Sequence, residues 1–158
     1  MPPQRKTIGI VVLVALLAVV MAVVSVKMSP LDQSNAAFVV EAPFVRSSLP
    51  ASTTAAAFMV LRNQTGRDDV LVGARADIAG QVALHSHSED ANGVMRMGEI
   101  AGGVPIADGA AHSFSRGGDH LMFTGLTAPL VQGQMVPVTL VFEVAGEIEI
   151  TVPVDLTR

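Results

Sequence analysis

The 158-residue chain has no cysteine, no tryptophan and no tyrosine, and only 15% of its residues are charged. Without cysteine there is no disulfide scaffold, no thiolate zinc centre and no thiol nucleophile. A blue-copper electron-transfer centre is excluded too, because that site needs a cysteine thiolate. The net charge of −4 includes no basic block, so the chain lacks an electrostatic footprint for nucleic acid. It has no Gly-x-Ser-x-Gly elbow. Gly102-Gly103 and Gly117-Gly118 are followed by neither a lysine nor a helical pattern, so they read as turns and not as phosphate cradles. Ser86, Ser88 and the Glu89-Asp90 pair read as a solvated stretch. Nothing in the sequence points to an enzyme.

One long apolar run is present. Arg5 and Lys6 precede residues 8–26, in which only Ser25 is polar. As a helix this run would span about 28 Å, enough for a bilayer core. Its basic flank predicts that the N-terminus stays cytoplasmic and the rest of the chain lies outside. A cleaved signal peptide has a shorter apolar core, and Ser34-Asn35-Ala36, which fits the small-residue rule, sits far downstream. Residues 1–28 are therefore expected to be an uncleaved membrane anchor, with a cleaved signal and a soluble periplasmic product as the alternative. Residues 29–36 read as a linker and 37–158 as one domain of ordinary size.

Within that domain the apolar pattern is short-range, and Val, Ile, Thr and Gly are abundant. Strands are expected over 38–45, 55–62, 70–75, 81–85, 93–97 and 120–124, with a last hairpin of 136–144 and 147–154 around Ala145-Gly146. In its second arm Ile148, Ile150 and Val152 alternate with Glu147, Glu149 and Thr151, the period of a half-buried strand. Residues 86–92 and 98–119 are expected to contain loops. About eight short strands separated by Gly and Pro predict an all-β sandwich or barrel. Met59 and Met135 are expected to fill the core, and His112 to sit in a polar loop. Asn63-Gln64-Thr65 matches a glycosylation sequon by chance.

What the chain does have is a soft donor set. His120-Leu121-Met122 is accompanied upstream by His85 and Met97. Thioether is a poor ligand for most biological metals but suits Cu(I), which also accepts imidazole. Residues two apart on a strand share a face, so His120 and Met122 point the same way. Met95 and Met97 do so on their own strand, and spacing alone does not separate them. His87, two residues beyond His85, is a further candidate and would suit Cu(II), which tolerates more nitrogen and oxygen.

The run Asp69-Val-Leu-Val-Gly73, then Ala79-Gly-Gln-Val-Ala-Leu-His85, Gly93-Val-Met-Arg-Met97, Gly117-Gly-Asp-His-Leu-Met122 and Val136-Pro-Val-Thr-Leu-Val-Phe142 resembles the PCuAC family of periplasmic copper chaperones. The resemblance extends over nearly all of residues 38–154. It implies a cupredoxin-like Greek-key β-sandwich or barrel that binds one Cu(I) per chain through a His…Met…His-x-Met motif. It implies His85, Met97, His120 and Met122 as ligands, with Met95 as the alternative to Met97. Both spacings in the motif are one residue longer here than in the family pattern. The residue after the first histidine, usually acidic in the family, is Ser86. The implied role is supply of copper to cytochrome c oxidase assembly at the periplasmic face of the bacterial inner membrane. The partner would be an oxidase subunit or a second copper chaperone. A copper buffer or resistance protein, and a metal-free interaction module, are the alternative readings.

Overall fold

The computed structural model describes residues 38–49, 51–89 and 92–158. The apolar run 8–26, the linker 29–36, residue 37 and Asp90 lie outside the described residues. Among the described residues no helix is long and apolar enough to cross a membrane.

Ten strands form the fold: β1 (Phe38–Arg46), β2 (Thr54–Asn63), β3 (Asp69–Arg75), β4 (Ala79–Glu89), β5 (Met95–Glu99), β6 (Val104–Ile106), β7 (Ala111–Phe114), β8 (His120–Leu126), β9 (Met135–Phe142) and β10 (Gly146–Pro153). Their order is β1-β2-β8-β4-β3-β9-β10, with β5 on β4, β6 on β3 and β7 on β2. A parallel bridge between Val45 and Val154 links the first strand to the segment after the last. The Asp155 N–H adds a 3.0 Å bond to the Val45 carbonyl there. The sandwich-or-barrel expectation thus resolves into a nearly closed antiparallel barrel, whose closure leaves little unpaired edge.

The alternation along each strand sets the inside. Val136, Val138, Leu140 and Phe142 on β9 are buried against Leu71, Leu121, Phe123 and Val152, and Phe38 stacks on Phe142 at 3.8 Å. Met59 joins this core at 3% exposure, as expected. Met135 does not: it is 56% exposed, because it has the parity of Pro137 and not of Val136. The two stretches expected to contain loops do so, and they also carry strand. Residues 86–89 continue β4, held by backbone pairing to β5, and the 98–119 stretch holds β6 and β7. Strands of three and four residues are too short to show a period. Asn63, at the end of β2, is fully buried. Its Nδ2 donates to the carbonyls of Arg67 and Ile106 at 2.8 Å each, so in the folded chain the sequon asparagine is a structural group.

Candidate metal centre

β8 opens on His120, and β4 places His85 directly opposite it. Two residues further along β4, His87 lies opposite Met97 of β5. Directly paired residues share a face, as do residues two apart. His85, His87, Met97, His120 and Met122 therefore project from one side of the sheet. The intervening Leu84 and Leu121 are 3% and 0% exposed and enter the core, so the donors stand on the barrel's outer surface. Met122 has Ala56 on β2 and Ala83 on β4 as cross-strand neighbours, which leaves a flexible thioether room to move.

His120 is the anchor of this face. Although it points outward it is only 3% exposed. His87 lies nearly parallel to its ring at 5.0 Å between centroids, His85 stands edge-on at 5.9 Å and Phe58 lies at 6.2 Å. Its Nδ1 is 3.0 Å from the Gly118 carbonyl oxygen. A carbonyl only accepts, so Nδ1 carries the proton and Nε2 keeps its lone pair. A backbone oxygen that fixes the tautomer in this way is the usual outer partner of a metal-binding histidine. Burial pushes the imidazole below its ordinary pKa, and His87 and His85 add to this by like-charge repulsion. The Gly118 hydrogen bond and Asp119 act in the opposite direction without reversing it. The ring is therefore neutral at neutral pH.

The Nδ1 atoms of His85 and His87 are buried without a hydrogen-bond partner among the described residues. Such atoms are uncommon in folded proteins because an unpaired buried polar group costs free energy. Over this face lies a cavity of about 210 Å³ whose lining includes His87, Met97, His120 and Met122, with Phe58 and Arg116 at its wall. His85 and Met95 are not part of that lining. Met97 is 51% exposed, so the cavity can be reached from solvent. Among the described residues, no three His, Asp or Glu side chains converge as a group able to hold a metal ion. What converges is imidazole together with thioether, a donor set suited to Cu(I) and poorly suited to harder cations. His112 takes no part. It lies on β7, not in a loop, with Nε2 2.9 Å from an Asp119 carboxylate oxygen and its ring against Phe114.

His87, a further candidate from the sequence, stands on the same face as His85 by the two-residue rule that joins His120 to Met122. Phe58 and Arg116 carried no sequence signal, since each reaches the cavity only through strand order.

The nearly closed antiparallel barrel is similar to that of PCuAC domains. The copper-bound PCuAC domain from PmoF2 has a TM-score of 0.60 and 24% identity, a match of 74% of this chain and 91% of that one. Apo-DR1885 from Deinococcus radiodurans has a TM-score of 0.59 at 25% identity, with 78% and 82% covered. The Cu(I) form of DR1885 has 0.55 at 27%, with 80% and 84% covered. The chain itself belongs to the LpqE-like family, described as "Putative lipoprotein LpqE-like", whose model matches residues 38–154. It is 35% identical over 99 residues to "Putative lipoprotein Lxx21020" of Leifsonia xyli subsp. xyli; the match covers 63% of this chain and 59% of that protein's length.

Proposed function

We propose that this protein is an extracytoplasmic Cu(I)-binding chaperone, not an enzyme, with one copper per chain as its cargo. One observation carries the reading: imidazole and thioether donors from three strands meet on one outer face, around a His120 whose Nε2 is left free. The site is assigned to Met97, His120 and Met122 with an imidazole from β4, His85 in the motif implied by the family resemblance. The similarity to a copper-bound PCuAC domain and to Cu(I)-DR1885 supports copper as the cargo. The exposure of Met97 suits release by ligand exchange, which favours a carrier over a storage protein. The acceptor is assigned to cytochrome c oxidase assembly, as an oxidase subunit or a second copper chaperone.

The family and the curated relative are both named for lipoproteins, which favours a location outside the cytoplasm and beside a membrane. This chain has no cysteine to carry a thioether-linked lipid. Membrane attachment is therefore assigned to residues 8–26, at the periplasmic face of the inner membrane. X-ray absorption at the copper edge on the full chain, loaded anaerobically with Cu(I), tests the reading. Sulfur and nitrogen shells at one copper per chain are expected. Absence of stoichiometric binding would leave the barrel as a metal-free interaction module.

A further inference from the structure

We infer that His87 is a copper ligand in this chain and forms one donor set with Met97, His120 and Met122, while His85 stands behind it. This rests on the Cu(I)-carrier reading above and specifies which β4 imidazole serves it. Three independent features of the geometry agree. The first is register toward β5, since toward β8 it is His85 that has His120 as its direct neighbour. His87 is the direct cross-strand neighbour of Met97, whereas His85 faces Glu99 and meets Met97 only on the diagonal. Direct neighbours have Cβ atoms about 5 Å apart and diagonal ones about 7–8 Å, so His87 and Met97 can close on one ion with less movement. The second is ring separation. An imidazole bound at about 2.0 Å has its centroid roughly 3 Å from the metal, so two rings on one tetrahedral ion lie about 5 Å apart. His87 and His120 stand at 5.0 Å; His85 and His120, at 5.9 Å, would need the ligand–metal–ligand angle opened widely. The third is placement. His87 lines the cavity with the other three donors and has a buried Nδ1 without a partner; His85 shares the unpaired nitrogen but not the lining.

The test uses the full chain in detergent micelles, loaded anaerobically with Cu(I), in competition with a chromophoric Cu(I) chelator. His87→Ala is expected to weaken binding by roughly tenfold or more and His85→Ala by less than about threefold, since loss of a direct ligand outweighs loss of a neighbour. A second measurement is made on the unmutated chain, where the His87 ring nitrogens should shift in ¹⁵N NMR when Cu(I) is added. Loss confined to His85→Ala, equal loss in both variants, or unmoved His87 resonances would overturn the assignment and leave the carrier reading intact. Failure of the unmutated chain to bind Cu(I) would overturn both.

Discussion

Two regions of this barrel hold buried polar atoms and are finished in opposite ways. At Asp69, 3% exposed, Oδ1 accepts the N–H groups of Val70 at 2.7 Å and Val144 at 2.9 Å, and Oδ2 accepts that of Ala145 at 2.8 Å. Beside β2, the Asn63 amide donates to two carbonyls and accepts from the Thr65 N–H and hydroxyl. In these two side chains the donors and acceptors have partners, and both pin loops to strands. On the His/Met face, two buried nitrogens have no partner and two thioethers offer lone pairs to the cavity. A buried polar group that is fully bonded belongs to the scaffold. One that is not is costly as it stands, which makes it a place where a ligand can return free energy.

The comparison is tested most severely at Asp69. Replacing it with Ala leaves three part-buried N–H groups without their acceptor and is expected to cost about 3 kcal/mol in chemical denaturation. Cu(I) affinity of the folded fraction should not change. A stability loss below about 1 kcal/mol would mean that completed hydrogen bonding does not mark the scaffold here.

The double substitution His120→Ala with Met122→Ala inverts that pattern. Cu(I) affinity should fall at least a hundredfold, about 2.7 kcal/mol. Because His120 is buried, the apo fold also loses stability, but circular dichroism should still show a folded barrel. Stoichiometric binding by the double variant would remove the site from this face.

Gly103 tests the scaffold through sterics. It has φ +82°, and an added Cβ would come within 2.5 Å of the Leu71 carbonyl oxygen and 2.9 Å of Val70 Cγ1. Gly103→Ala should therefore cost about 2 kcal/mol, read as a lower melting temperature with copper affinity unchanged.

Acid should separate the two regions. Burial alone would raise the Asp69 carboxyl, but the N–H groups of Val144, Ala145 and Val70, with Arg67, outweigh it and hold it below the ordinary range. Its contribution is whole above the unfolded value near 3.9 and is lost as pH falls below that through the folded pKa. His120 is also lowered, so the unfolded chain takes up its proton first. The apo fold should begin to lose stability below about pH 6.5, a step that a neutral replacement of His120 removes. A single acid transition, unchanged in Asp69→Asn and in the His120 variant, would contradict both.

The smallest effect is expected at His85. His85→Leu removes a buried unpaired nitrogen, so the apo protein should be unchanged or more stable by up to about 1 kcal/mol in urea titration. Destabilisation by more than that would show that His85 already has a structural partner.

Much of this organisation is legible along the chain. Alternation in β9 and β10 locates both strands and the Ala145-Gly146 hairpin, since each apolar side chain needs the same side of the sheet. The same parity would have placed Met135 outside. The donor types and the pairing of His120 with Met122 on one face follow from residue chemistry and a two-residue repeat. β6 and β7 were hidden because three or four residues carry no usable period. The extension of β4 through residues 86–89 was hidden because its polar side chains resemble those of a loop until β5 pairs with it.

Local chemistry along the chain is enough to name the candidate soft donors and the strands that carry them, because side-chain softness and strand alternation are properties of neighbouring residues. It does not settle how those strands are arranged. Only tertiary structure sets β8 between β2 and β4, and β5 on the far side of β4. That order puts His85 opposite His120, His87 opposite Met97, and Phe58 against a ring 62 residues away. Register between distant strands comes from burying the whole apolar face at once, and no short stretch of sequence contains that constraint.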